Sequence, residues 1–433
     1  MNVKEMTNTM LKQKVNVFGQ VLYHCAKAQP KRKFHALYDK IYRPDVLKLA
    51  WLMVKRNRGS GGVDGQTIDY IVETIGESQF LNDLYQKLKN ESYEAQPVRR
   101  VHIPKGNGDT RPLGIPTIED RVVQQATKLI LEPIFEVDFK DCSYGFRPKR
   151  SAQQALKVIR KEGKTNYWVV DVDIKGYFDH ISHEKLMKLV EQRVSDKRLL
   201  ALIRQWLEAG VMEGNLIQES VVGSPQGGVI SPLLANIYLN YLDTLWEKHC
   251  THLGTLIRYA DDMVILCKRK ALALTSIRVL KGIFETLELE MNTEKSKLIN
   301  LWDDSEGFDF LGFHHRKFPK RRKNGKVFYI LEHVPNRKAM KKMRQICKEY
   351  ISPRNKLYLD TTDFVEGLNR KIVGMRNYYL ITPLAQKWLG KIDWYIRELL
   401  IIHYNKRRGK RKYSNRKLVL EQLGNKFEKL AVG

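Results

Sequence analysis

Two short stretches carry carboxylates where an ordinary core would not have them. Residues 258–267 read RYADDMVILC, an apolar, β-prone run with Asp261 and Asp262 side by side. Residues 171–179 read DVDIKGYFD, with Asp171 and Asp173 two apart and so on one face of a strand. A buried, unpaired carboxylate costs on the order of several kcal/mol unless something neutralises it. If Asp173 ends its strand and the Asp pair tips a neighbouring hairpin, three carboxylates converge. Two divalent cations roughly 3.5–4 Å apart would balance such a cluster. Mg²⁺ suits it, because Mg²⁺ takes hard oxygen ligands and keeps water and substrate phosphate in its shell. The chemistry that results is nucleotidyl transfer, in which a hydroxyl attacks and pyrophosphate leaves. Taken alone, RYADDMVILC is equally a plain hairpin with a solvated turn, so the rest of the chain must decide.

The elements that must position these residues can be read from periodicity. YWVVDVDIKGYF (167–178) reads as a buried strand ending in acid, and RYADDMVILC as a hairpin. VRRVHIPKGNGDTRPLGIP (98–116) reads as two strands around a Gly-Asn-Gly-Asp turn. Helical spacing marks 119–136, 183–194, 196–210, 231–249 and 274–292, and Gly210 is a stop signal. Residues 308–318 read as one further strand. Strands and helices alternate irregularly, so the fold class is α+β rather than doubly wound. The 433 residues exceed one compact core. Four segments are expected: a basic helical lead-in (1–44), an extension with a glycine-rich loop NRGSGGVDG at 57–65 (45–95), a carboxylate-bearing region (96–320) and a basic tail (321–433).

Charge narrows the partner. Lys and Arg number 76 against 48 Asp and Glu, a net of +28. Such an excess calls for a polyanion, above all nucleic acid. From His314 onward there are 31 Lys and Arg against 9 Asp and Glu, interleaved with Tyr378, Tyr379, Trp388, Trp394, Tyr395 and Tyr404. Basic helices with aromatic faces suit backbone tracking, although at least half of these rings are expected in the tail's own core. The five cysteines are scattered without a C-x-x-C pair, which speaks against a zinc ribbon or a disulfide framework. No signal peptide and no membrane span are expected.

The motifs in order carry a resemblance. IPKGNGDTRPLGIPTIEDRVVQQA, YGFRP (144–148), DVDIKGYFD, GSPQGGVISPLLANIYLN (223–240), RYADD, LEMNTEKSK (289–297) and FLGF (310–313) follow one another. The chain resembles a group II intron-encoded reverse transcriptase, or maturase, strongly over about 45–320 and more weakly to the end. The resemblance implies a right-hand polymerase of fingers, palm and thumb, with an N-terminal extension and a C-terminal helical maturase region. It implies RNA-directed DNA synthesis with two Mg²⁺, for which Mn²⁺ is an expected substitute. The implied partners are dNTPs, a DNA primer or target, and group II intron RNA or another RNA template. The implied setting is the bacterial cytoplasm beside the nucleoid.

Residue by residue, the resemblance makes Asp173, Asp261 and Asp262 the catalytic aspartates, with the backbone carbonyl of Ile174 as a further metal ligand. Asp171 is expected as a strand residue. Phe178 falls at the sugar-discriminating position, where a ring excludes a ribose 2′-OH. Lys105 and Arg111 match fingers residues that grip the triphosphate. Gln226 falls near the incoming nucleotide, beside Gly227 and Gly228, which allow close backbone approach. Lys295 matches a proposed general acid to pyrophosphate. Tyr259 is expected near the primer end, with the small Ala260 beside it. Arg99 and Arg100 are expected on the template backbone or in solvent, and Arg376, Arg397, Lys406, Arg407 and Arg408 on nucleic acid. Residues 1–44 are expected to act as a basic arm over the RNA. No HNH-type His/Asn set or paired cysteines follow the tail, so no endonuclease domain is expected. Two other readings share these motifs: a splicing-only maturase, and a domesticated relative in phage defence or DNA repair.

Overall fold

The computed structural model describes residues 7–104, 110–213, 216–218, 223, 227–302, 306–409 and 426–431. The chain opens with α1 (Asn8–Ala28), α2 (Pro44–Arg56) and α3 (Glu77–Lys89). A hairpin, β1 (Val98–Pro104) and β2 (Thr110–Ile115), leads to α4 (Ile118–Phe135) and α5 (Ala152–Glu162). Then come β3 (Trp168–Val172), α6 (His183–Val190), α7 (Lys197–Glu208), β4 (Val211–Glu213), β5 (Leu216–Gln218) and α8 (Ser231–Leu245). β6 (Thr255–Tyr259), β7 (Asp262–Cys267), α9 (Lys270–Thr286), β8 (Lys297–Asn300), β9 (Gly307–Phe310), β10 (Phe313–Arg321) and β11 (Val327–Pro335) follow. Three helices end the described chain: α10 (Arg337–Ile351), α11 (Thr361–Tyr379) and α12 (Pro383–Arg407).

The strands form three sheets, ordered β2-β1-β4-β5, β6-β7-β3-β8 and β11-β10-β9. The central sheet, β6-β7-β3-β8, is covered on both faces. Val170, Val172, Met263 and Ile265 enter the main core, whereas Val169, Ile257, Val264 and Leu266 pack under α5 with Phe308, Phe310 and Leu331. Period-2 alternation sends neighbouring residues to opposite faces. The sequence shows it only as a continuous apolar run, because both faces are buried. A separate helical core holds Met343, Leu368, Ile372, Leu389 and Ile396.

The structure bears on four sequence expectations. Residues 8–44, expected as part of a basic arm over the RNA, pack against the body of the protein. Leu11, Val15, Leu22 and Ala26 of α1 lie in the main core. Asp196 accepts from the N–H groups of Leu37 and Tyr38 at 2.8 Å each. Buried Arg193 donates to the Pro30 carbonyl at 2.6 Å and pairs with Asp138 at 2.9 Å. The helix expected over 274–292 stops at Thr286. Glu288 takes φ +55, and the Leu289 N–H donates back to the Phe284 carbonyl at 2.8 Å. That closure normally uses glycine, so the stop has no glycine signal. The single strand expected over 308–318 is two strands around Leu311 and Gly312, at φ +50 and +79. The boundary expected at 320/321 falls at the end of β10, and the helical core begins only at Met340.

Candidate active site at the end of the central sheet

Asp173 follows directly after β3, and Asp261 and Asp262 sit at the neighbouring β6–β7 turn. β3 pairs antiparallel with β7, Val172 opposite Met263, so the strand end and the hairpin tip lie side by side. Tyr259 pairs with Asp262, leaving Ala260 and Asp261 as a two-residue turn. Ala260 takes φ +59, the sign a tight hairpin requires at its first turn position. A non-glycine residue there is strained and needs the surroundings to hold it.

Arg258 supplies that hold. It is fully buried and faces Asp243, also fully buried. Its Nε donates to Asp243 Oδ1 at 2.9 Å, and its Nη1 donates to Asn236 Oδ1 at 3.1 Å and to the Ala260 carbonyl at 2.8 Å. The Arg258 backbone pairs with the start of YGFRP and the residues just before it: its N–H donates to the Cys142 carbonyl at 2.7 Å, and its carbonyl accepts from the Tyr144 N–H at 2.9 Å. Gly145 presses on the turn so closely that a Cβ there would lie 2.4 Å from the Ala260 nitrogen. The YGFRP motif thus buttresses the carboxylate turn from below.

Asp173 is cradled by the chain after α9. Its N–H donates to Ser296 Oγ at 3.2 Å, and its carbonyl accepts from the Asn292 N–H at 2.8 Å. Ile174 forms a bridge with Met291. Lys295 Nζ lies 3.6 Å from Asp173 Oδ2, at an exposed position. A cleft of ≈ 350 Å³ opens beside the hairpin, lined in part by Asp261, Asp262, Phe178, Phe146, Tyr259 and Gly227. Phe178 follows Tyr177, whose hydroxyl donates to the Ala235 carbonyl at 2.6 Å. Gly227, at φ +121, approaches β2 so closely that a Cβ would meet the Gly114 oxygen at 2.2 Å.

The carboxylates repel one another. Burial, then the charges of Asp261 and Asp173, push the Asp262 carboxyl up to about 6. By surface area Asp262 is an exposed residue, yet the hairpin packed around its carboxyl still strips hydration from the charge. Burial and Asp262 push Asp171 up to about 7, with Lys297, opposite on β8, acting against them. Among the described residues no three His, Cys, Asp or Glu side chains close into a ligand set by themselves. The donors nevertheless fit hard cations: they are carboxylate oxygens with excess negative charge, and Mg²⁺ takes its remaining ligands from water and phosphate.

A proton shared unequally between folded and unfolded chains makes stability depend on pH. Asp171 binds its proton more tightly when folded, so its favourable contribution is full below about pH 4 and lost as pH rises through 7. His315 and His333 act in the opposite sense, because burial lowers both. The clean comparison is therefore between chains at one pH. Metal-free Asp171→Asn is expected to melt about 3 °C or more above wild type at pH 8, and level with it at pH 4. Thermal denaturation with chelator measures this. An equal gain at both pH values would show that the charge is not the cause.

The other sequence candidates scatter. Lys105 and Gln226 lie outside the described residues, as do the turn at 106–109, the side chain of Arg111 and residues 410–413 of the basic cluster. Arg99 donates to the Gly61 carbonyl at 2.9 Å, which ties β1 to the glycine-rich loop, and Arg100 lies 3.6 Å from Glu213. The Arg376 guanidinium pairs with Glu428 at 2.6 Å and secures residues 426–431. Arg397, Lys406, Arg407 and Arg408 are exposed, Arg407 donating to Thr361 Oγ1 at 3.2 Å. Tyr378 donates to the Leu311 carbonyl at 3.0 Å, so the FLGF turn is packed under the helical tail. Sequence reasoning passed over Phe146, Arg258, Asn236, Asp243 and Ser296. Phe146 lay inside a quoted motif, but its φ of +56 and its place in the cleft carry no sequence signal.

The family model described as reverse transcriptase (RNA-dependent DNA polymerase) matches residues 103–315. The chain is similar to protein YkfC of Escherichia coli, 34% identical over 354 residues, which is 72% of this chain and 91% of YkfC. It is similar to the group II intron-encoded protein LtrA of Lactococcus lactis, 42% identical over 213 residues, which is 48% of this chain and 35% of LtrA. The chain thus spans nearly all of one relative and about a third of the other. Among solved structures, telomerase from Candida albicans aligns over 81% of this chain and 65% of its own, at 12% identity and TM-score 0.41. A chain of a partial Cas6-RT-Cas1–Cas2 complex aligns over 57% of this chain and 42% of its own, at 25% identity and TM-score 0.37. Among the described residues no helix is long and apolar enough to cross a membrane. With this motif order, an α+β fold and a relative matched over nearly its whole length, the chain belongs to the reverse transcriptase family and carries an RNA-directed DNA polymerase domain.

Proposed function

We propose that this polymerase is of the group II intron type, extending DNA on an RNA template and also binding intron RNA to aid splicing and retrohoming. The observation that carries the catalytic part is the meeting of Asp173, Asp261 and Asp262 at one end of the central sheet. In this reading Asp173 and Asp261 hold two Mg²⁺, with Asp262 and the Ile174 carbonyl completing the protein's share. When bound, the ions supply charge neutralisation for the attacking 3′-hydroxyl and the departing pyrophosphate. The chain's own groups do the rest. Lys105, Arg111 and Gln226 hold the triphosphate and base, and cation pairing stabilises the charge that develops on phosphate oxygens. Lys295, beside Asp173, gives its proton to the pyrophosphate oxygen as the P–O bond breaks. Tyr259 packs near the primer end, and Arg397, Lys406, Arg407 and Arg408 meet nucleic-acid backbone. The segments keep their expected roles, as extension, fingers and palm, and thumb with RNA-binding helices. The intron-type reading is supported by the likeness to LtrA, which covers about half of this chain.

Phe178 supplies a test at the sugar. Its ring lines the same cleft as Asp261 and Asp262. Phe178→Val is expected to lower the preference for dNTP over rNTP about 10–100-fold, because steric exclusion of the 2′-hydroxyl is lost. Single-nucleotide primer extension on an RNA template, with each nucleotide in turn, measures it. Unchanged discrimination would remove Phe178 from the sugar site. Splicing of an intron RNA with and without the protein tests the intron role separately.

A further inference from the structure

The long β10–β11 hairpin carries charge that the catalytic cleft does not use. Residues 316–331 read RKFPKRRKNGKVFYIL, seven cations and no acid. Phe313, the last residue of FLGF, begins β10, pairs with Phe310 and packs against Tyr379 of the helical tail. Nine residues of strand carry β10 about 30 Å away from there. The hairpin closes over a short turn in which the Arg322 N–H donates to the Lys326 carbonyl at 2.9 Å and Gly325 takes φ +82. Lys320 lies 3.5 Å from buried Glu332. Among the described residues Arg321, Arg322, Lys323 and Lys326 make no ion pair. Val327 and Tyr329 are each 51% exposed beside them.

Along the same hairpin lies an aromatic platform. Trp302 is 71% exposed and meets Tyr167 edge to face at 4.4 Å. Lys317 places its amine 3.7 Å from the Tyr167 ring centroid and 5.6 Å from that of Trp302. Lys270 stands 5.5 Å over Trp168. Trp168 begins β3 and Tyr167 directly precedes it, whereas Asp173 follows its other end. Six residues of extended chain separate Tyr167 from Asp173 by about 20 Å. The platform and the hairpin tip therefore belong to the end of the central sheet remote from the carboxylates.

A β-ribbon whose outer stretch, residues 316–331, carries no acid has the shape and charge to lie along a sugar-phosphate backbone. An exposed Trp flanked by a cation offers a stacking face to one unpaired base, whatever its identity. A protein or a lipid surface would use the charge but leave the Trp–Tyr platform without a specific ligand. We propose that the β10–β11 tip and the Trp302–Tyr167 platform form a second nucleic-acid site, separate from the catalytic cleft. It takes a phosphodiester backbone along Arg321, Arg322, Lys323 and Lys326 and an unpaired base on Trp302. The site does not depend on the intron-type reading, since neither the ribbon nor the platform lines the cleft.

The experiment uses the full chain with the cleft filled by a saturating short template–primer. A labelled hairpin, blunt or with an unpaired overhang, in RNA and in DNA, is then titrated by anisotropy across a potassium chloride series. R321Q/R322Q/K323Q is expected to bind every hairpin about tenfold more weakly, with a salt slope shallower by about 2–3. Trp302→Ala is expected to lose about tenfold on the overhang and nothing on the blunt hairpin. Both variants should extend a short unstructured template at the wild-type rate and melt like wild type. A loss on RNA and DNA alike, or on RNA alone, upholds the backbone reading and names its source. Unchanged affinity and slope in folded variants would overturn the proposal. So would an equal loss of short-template extension, which would return the ribbon to the cleft.

Discussion

Asp261→Asn is expected to abolish RNA-templated primer extension, by about 10³-fold or more, while the metal-free chain keeps its fold and gains stability. The two effects have one cause. Asp261 is a principal charge holding the Asp262 carboxyl up to about 6. Replacing it with a neutral amide removes that repulsion, so the apo hairpin relaxes. The same replacement removes a carboxylate from the cluster that must be balanced by cations. Wild type is therefore expected to gain more in melting temperature from Mg²⁺ than the variant does, and most at pH 8, well above the value of about 6 to which Asp262 is raised. Primer extension and paired melts with chelator or Mg²⁺ read both effects. A variant that extends normally would sink the carboxylate assignment. One that is inactive because it is unfolded would instead show that the charge serves the fold.

The opening paradox of paired carboxylates in an apolar run resolves physically. Asp261 occupies the turn and Asp262 the first residue of β7, so neither enters the sheet interior, and the apolar run begins only at Met263. The strand supplies rigidity and the turn supplies exposure. A site built this way loses less conformational entropy when it engages substrate than one carried on a long loop.

What the sequence made legible follows from locality. Asp173 at a strand end and Asp261–Asp262 at a hairpin tip are set by period-2 alternation within ten residues, and both were readable. Arg258 was not. An arginine in an apolar strand reads as an edge or surface residue, and only the fold brings Asp243, fifteen residues earlier on α8, against it. α1 likewise shows a basic helix by composition. That its Leu11 and Val15 enter the main core depends on α2 and α4 lying beneath them. The turn that splits 308–318 is carried by Leu311 and Gly312, of which only the second is a turn former. The stop after α9 uses Glu288, where the backbone geometry overrides the residue preference. In each case the missing signal was a long-range contact, or a φ that the local residue would not choose alone.

Arg258→Met is expected to cost about 3–5 kcal/mol of stability, because it leaves Asp243 buried without its partner. That loss alone does not separate fold from function. The double variant Arg258→Met/Asp243→Leu does. Replacing a buried ion pair with apolar residues of similar volume is often near neutral, so the double variant should recover most of the melting temperature. The Ala260 carbonyl, however, loses its 2.8 Å donor, and Asn236 loses a partner that aligns it with the Gly145 carbonyl. Ala260 at φ +59 then keeps the close approach of Gly145 but not this hydrogen bond. The turn carrying Asp261 should sample other conformations, and extension should remain about 10–100-fold below wild type with KM for dNTP little changed. Arg258→Lys keeps a charge for Asp243 but lacks the planar fork that reaches three acceptors at once, and should fall between the two. Melting curves and steady-state extension of all three variants measure this. Full activity in the stable double variant would reduce Arg258 to a counter-charge for Asp243. Persistent loss in a folded chain would make it the residue that positions the catalytic turn.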